Sequence, residues 1–115
     1  MKPTGIDHVA INVTAIPRAL AFYTETLGLT LRTDRPEFAV DGAWLDLGAS
    51  QVHLVELPVP PVMGQHFAIA VADLDVTVHE LRTANVTVSD PAAIAGRRQA
   101  FLADPDGNVI ELQGD

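Results

Sequence analysis

Hydrophobic and polar residues alternate along two stretches of this chain, 6–13 and 64–71, both rich in Val and Ile, and a period of two predicts a β-strand at each. A helix is predicted after each strand. In the first, Pro17 suits an opening turn, and Ile16, Leu20, Tyr23 and Leu27 form one apolar stripe that Gly28 ends. In the second, Asp73 is placed to cap the N-terminus, Leu74, Val78 and Leu81 repeat the stripe, and the end falls near Asn85. Three short strands are then expected in each half, at 29–33, 43–47 and 51–57 and again at 86–89, 98–103 and 108–113. Each half reads βαβββ. Pro58-Val59-Pro60-Pro61 cannot form a central strand and serves as a stiff connector. The expected organisation is one α+β domain over 1–115, with modules at 4–57 and 64–115 joined by a linker at 58–63.

The two halves are an internal repeat. His8 and His53 are 45 residues apart, as are His66 and Glu111, and the second pair follows the first at an offset of 58. His8-Val9-Ala10-Ile11-Asn12-Val13 lies over His66-Phe67-Ala68-Ile69-Ala70-Val71, and Val52-His53-Leu54 over Ile110-Glu111-Leu112. Alternation then sets the faces. Val9, Ile11 and Val13, or Phe67, Ile69 and Val71, go under the helix, so His8, Ala10 and Asn12, or His66, Ala68 and Ala70, face away. Val52 and Leu54, or Ile110 and Leu112, take the helix side and leave His53 and Glu111 on the helix-free face. All four potential metal ligands fall on one kind of surface, and the small Ala10, Ala68 and Ala70 beside them leave room for a ligand.

The turn Asp104-Pro105-Asp106-Gly107-Asn108 pins the hairpin that carries Glu111, because Pro presets one turn angle and Gly accepts a positive φ. If the hairpin is symmetric about that turn, Phe101, Gln99 and Arg97 share Glu111's face and, with Asn12, are candidate substrate contacts. Tyr23, Leu27 and Trp44 are expected to pack the core or a cavity wall, and His79, outside the repeat pattern, to be solvated.

Composition narrows the partners. Seven basic against 15 acidic residues give a net charge of −8, and no Lys/Arg cluster beyond Arg97-Arg98 could neutralise a row of phosphates, so nucleic acid is not an expected partner. The absence of cysteine removes disulfides, zinc-thiolate sites and thiol nucleophiles together. No apolar run approaches a membrane span, and the charged start of the chain lacks a signal-peptide core, so a soluble cytoplasmic protein is expected.

Asp7-His8-Val9, Ala21-Phe22-Tyr23 through Leu27-Gly28-Leu29, His66, and Ala100-Phe101 running into Asp104-Pro105-Asp106-Gly107-Asn108-Val109-Ile110-Glu111-Leu112 together resemble the vicinal oxygen chelate superfamily over essentially the whole chain. That superfamily includes glyoxalase I, extradiol dioxygenases and bleomycin-resistance proteins. The resemblance implies paired βαβββ modules forming a half-open mixed β-barrel around a divalent metal. It implies ligands from the first and last strands, here His8, His53, His66 and Glu111, and a homodimer whose sites are often completed by both chains.

Imidazole and carboxylate suit Zn, Ni, Fe, Co or Mn, and two His with one carboxylate leave positions open for water or a chelating substrate. His8, His66 and Glu111 make that triad. His53 stands either as a fourth ligand or as a base beside the metal, at a position where glyoxalase I usually has Glu; Glu111 is the other candidate catalytic base. Three functions follow for a small-molecule substrate or ligand. The leading one is a glyoxalase-like lyase or isomerase working through a metal-stabilised enediolate; the others are an extradiol-type Fe/Mn dioxygenase and a non-catalytic binding protein of the bleomycin-resistance type.

Overall fold

A computed structural model describes residues 1–115, which form two compact units, Met1–Pro60 and Pro61–Asp115. The first runs β1 (His8–Val13), α1 (Ile16–Ala21) continued by a π-helical turn (Phe22–Thr26), β2 (Thr30–Leu31), β3 (Gly42–Leu47) and β4 (Ser50–Glu56). The second repeats the order with β5 (Phe67–Ala70), α2 (Leu74–Thr83), β6 (Ala92–Ile94), β7 (Arg97–Ala103) and β8 (Val109–Gly114). Each unit has one open four-stranded sheet, ordered β1-β4-β3-β2 and β5-β8-β7-β6, in which the first strand runs parallel to the last and the other pairs are antiparallel. The chain is therefore α+β, built from two βαβββ modules. No helix is long and apolar enough to cross a membrane.

Register explains the burial. Val9 pairs with Val52 and Ile11 with Leu54, and on the other side of β4 Leu45 meets Val52 and Ala43 meets Leu54. Successive side chains of a strand point to opposite faces, so these residues share the face that the helix covers with Ala19 and Tyr23. Tyr23, Leu45, Val52 and Leu54 are completely buried there. The second unit buries Ile110, Leu112, Ala100 and Leu102 against Leu74, Val78 and Leu81 of α2 in the same way. Full burial of each aliphatic side chain stabilises the fold by roughly 1.5–3 kcal/mol before chain entropy is counted.

The helix ends follow local chemistry. The Asp73 carboxylate accepts from the Val76 amide at 3.0 Å, an N-cap. At the other end Asn85 adopts φ 64, its amide reaches the Arg82 carbonyl at 3.0 Å and the Val86 amide reaches Leu81 at 3.0 Å, a Schellman closure. Three expectations are corrected. The strand expected at 86–89 lies instead at Ala92–Ile94. Ser89 does bond Phe101, but its hydroxyl takes the Phe101 amide at 2.8 Å while its own amide donates to the Phe101 carbonyl at 2.9 Å, so no backbone ladder continues there. The ladder with β7 is made by 92–94, because Ala95 (φ 52) and Gly96 (φ 77) form the two-residue turn that a tight hairpin requires. The first helix is not one continuous α-helical stripe either. Its last turn widens to π geometry, and the buried positions are Ala19 and Tyr23, while Ile16, Leu20 and Leu27 stay half-buried. Finally, the opening strands are shorter than expected: Ile6 is exposed, and His66 sits just ahead of β5.

Candidate functional site

In the first unit, β1 and β4 bring His8 and His53 together on the face opposite the helix. Ala10 pairs with His53 and Trp44 of β3 pairs with it from the other side. Small Ala10 lets the rings close up: His8 and His53 stack with centroids 3.9 Å apart and planes 14° from parallel, and Trp44 stacks on the other face of His53 at 4.5 Å and 11°. Trp44 is thus a wall of this face and not core. The Asp7 carboxylate lies 2.8 Å from His8 Nδ1, and that hydrogen bond holds the Asp7 carboxyl below its usual range. A carboxylate only accepts, so Nδ1 carries a proton, and in neutral His8 the lone pair lies on Nε2. His53 Nε2 contacts Gln51 Oε1 at 2.8 Å. Burial, with the neighbouring His8 as the next cause, pushes the His53 imidazole below its ordinary pKa.

This face opens into a cavity of about 730 Å³. Its far wall is the segment between β2 and β3, which carries Arg32, Arg35 and Phe38. Arg32 is spent within the protein: it grips Asp34 through two bonds of 2.9 and 2.7 Å and Asp46 through a third of 2.8 Å. Asn12 lies on the same face as His8, and its amide donates to the Pro58 carbonyl at 2.9 Å, tying β1 to the chain beyond β4.

In the second unit, β8 places Glu111 beside Ala68 of β5 and opposite Phe101 of β7. Glu111 is buried, 8% exposed, which is unusual for a carboxylate unless it is paired. Its Oε1 lies 3.3 Å from His66 Nε2, and its Oε2 accepts from Gln113 Nε2 at 2.6 Å. His66 Nδ1 sits 2.8 Å from the Gly64 carbonyl, and Phe101 meets the His66 ring edge-on at 5.6 Å. Gln99 approaches Gln113 at 3.4 Å. Arg97, four residues along β7 from Phe101 and so roughly 13 Å away, lines a separate hollow of about 260 Å³ beside Gln113.

Each unit therefore joins two of the four expected ligands, and in neither does a third His, Asp or Glu complete a metal-holding group. His79 is exposed on α2. Sequence reasoning missed Gln113, whose signal was its position two residues beyond Glu111 on the same strand face. It also missed Arg35 and Phe38, which stand in a segment without periodicity.

The family model described as Glyoxalase/Bleomycin resistance protein/Dioxygenase superfamily matches residues 5–112. The chain belongs to this superfamily. It is 33% identical over 120 residues to the "Probable lactoylglutathione lyase, chloroplastic" of Arabidopsis thaliana, covering 91% of this chain but only 34% of that protein, so it spans about a third of that relative's length. It is 32% identical over 122 residues to the uncharacterized protein YaeR of Escherichia coli (strain K12), covering 93% of each. Among solved structures of the glyoxalase fold, TnmS3, an antibiotic binding protein from Streptomyces sp. CB03234, superposes with a TM-score of 0.81 at 27% identity, covering 99% of this chain and 98% of that one.

Proposed function

We propose that this glyoxalase-superfamily chain is a divalent-metal-dependent protein with glyoxalase I-like lyase or isomerase chemistry on a small substrate bearing neighbouring oxygens. In this reading His8, His53, His66 and Glu111 bind the metal, and the protein works as a cytoplasmic homodimer. The observation that carries it is the His66–Glu111 pair. With Nδ1 committed to the Gly64 carbonyl, neutral His66 turns the lone pair of Nε2 toward a carboxylate oxygen 3.3 Å away. Two electron-pair donors facing each other call for a cation between them, a proton or a metal ion. The wider donor set of three imidazoles and a carboxylate suits Zn, Ni, Fe, Co or Mn. His8 supports the reading through Asp7, which orients the ring as a ligand's carboxylate partner does.

A bound divalent ion would supply Lewis acidity to the substrate's neighbouring oxygens. The protein's own part is proton movement. Glu111 would take a proton from the carbon beside the substrate carbonyl and return it to the neighbouring carbon, and Gln113 positions the Glu111 carboxylate through Oε2. His53, whose pKa burial lowers, is the second candidate base within the donor set. Phe101 walls the Glu111 face, and Asn12, Gln99 and Arg97 are proposed to contact substrate.

A second reading is favoured by one specific observation. The 730 Å³ cavity with its stacked rings needs no metal to hold a compound, and TnmS3 is named an antibiotic binding protein. Elemental analysis of the purified protein beside His66→Ala and Glu111→Ala separates the two. Near one equivalent of a transition metal per chain, lost in both variants, supports the enzyme. Iron accompanied by oxygen uptake would mark the extradiol-type alternative. No metal after reconstitution with each ion overturns the metal reading and leaves the binding protein.

A further inference from the structure

Of the charged groups around the first unit's cavity, Asp7 is bonded to His8, and Arg32 and Asp34 to each other. Arg35 is different. It gives one N–H to the Val40 carbonyl at 2.9 Å and lies over the Phe38 ring at 4.9 Å, yet no carboxylate pairs with it, in a chain with twice as many acids as bases. Its place is set by Gly42, where a Cβ would come within 2.7 Å of Arg35 Nη2. The guanidinium thus rests where only a bare strand admits it. A guanidinium has five N–H donors in a planar fork suited to a carboxylate, and Arg35, which lines the cavity, gives one of them to the Val40 carbonyl.

The aromatic groups beside it are equally unfinished. Trp44 stacks on His53, and the Phe38 ring packs beside it with its centroid 6.2 Å away and its plane tilted 45°. Phe38 is 56% exposed and stands on a segment without regular structure. Centroids 6.2 Å apart are an ordinary aromatic contact, so Phe38 and Trp44 together form one aromatic wall of the cavity.

We propose that this cavity binds a planar aromatic carboxylate, its ring packed against the wall formed by Trp44 and Phe38 and its carboxylate held by Arg35. The inference deepens the reading of the His8–His53 face as the place where a small molecule binds; the contacts it assigns are Trp44, Phe38 and Arg35, beside the two histidines that line the same cavity. Trp44 is the chain's single tryptophan, so its indole N–H resonance reports occupancy directly. The probes are 2-naphthoate, neutral 2-naphthamide and non-aromatic cyclohexanecarboxylate, titrated by NMR with and without EDTA.

The expected result is saturable movement of the Trp44 resonance by 2-naphthoate in both conditions, with the other two probes weaker by about tenfold or more, the worth of a charge-assisted bond. Arg35→Gln should remove the preference for naphthoate over naphthamide, and Arg35→Lys should restore part of it, which separates loss of charge from loss of fold. Phe38→Ala, at an exposed position, should weaken both naphthyl probes. No Trp44 response to naphthoate, equal binding of cyclohexanecarboxylate, or an unchanged preference in Arg35→Gln overturns the proposal. Because EDTA is present in one arm, failure of the metal site and failure of this pocket are read separately.

Discussion

His8 and His53 lie face to face with their ring centroids 3.9 Å apart, although 44 residues separate them in the chain. Two imidazoles at that distance cannot both carry charge cheaply, and burial adds to the cost on His53, whose pKa is lowered first by burial and then by His8. A histidine with a depressed folded-state pKa leaves the unfolded chain holding more protons below about pH 6.5. Its neutral form is fully accommodated above that pH, and stability is lost as pH falls through the window between the unfolded and folded values. Denaturant midpoints should therefore drop from pH 7 to pH 5, and His53→Gln should flatten the acid side of that profile. An unchanged slope in the variant would assign the acid sensitivity elsewhere.

If Glu111 is a metal ligand as proposed, Gln113 should matter to metal binding without being a ligand itself. Its amide holds Glu111 Oε2 at 2.6 Å, and partners of this kind typically contribute 10–100-fold to metal affinity. Gln113→Leu should weaken metal binding by roughly tenfold or more in a competition titration against a chromophoric chelator. Equal affinity in wild type and variant would remove Glu111 from the ligand set or Gln113 from its support.

Asp104 organises the turn before β8. Its Oδ1 accepts the amides of Asp106 and Asn108, each at 2.9 Å, its Oδ2 accepts Asn108 Nδ2 at 2.8 Å, and it is 5% exposed. Asp104→Ala leaves half-buried donors on Asp106 and Asn108 without an acceptor and should cost about 1–3 kcal/mol in urea unfolding. A change below about 0.5 kcal/mol would mean that water replaces the carboxylate.

Gly42 is held by space. A Cβ there would come 2.5 Å from the Leu54 carbonyl oxygen, a backbone atom that cannot swing aside. Gly42→Ala should destabilise the first unit by roughly 1–3 kcal/mol and shift the Trp44 indole resonance as Arg35 is displaced. Wild-type stability would show that β3 and β4 can separate at no cost.

Ala95 is strained in the opposite sense, since it holds a left-handed φ of 52 in the turn between β6 and β7. Ala95→Asn should raise stability by up to about 1 kcal/mol, because Asn tolerates this conformation and Asn-Gly is the favoured pair for such a turn. A thermal midpoint that fails to rise would place the limiting strain outside the turn.

Much of the architecture was legible in the residues because it depends on local periods. Alternation at 8–13 and 67–70 places Val9 and Ile11 on one face and His8 and Ala10 on the other in any strand, whatever lies nearby. The 45-residue spacing shared by His8/His53 and His66/Glu111 survives because both modules fold alike. Asp73, Asn85 and the Asp104–Asn108 turn are equally readable, since caps and turns are settled by a few adjacent backbone groups. Only tertiary structure decided the rest. A side-chain hydroxyl on Ser89 took the bond that a strand at 86–89 would have needed, and pairing passed to 92–94. Trp44 became a cavity wall because β3 pairs it with His53, and Arg35 and Phe38 joined it from a segment with no period to read. Their positions come from contacts with Gly42, Val40 and Trp44, and such contacts exist only after the strands have paired.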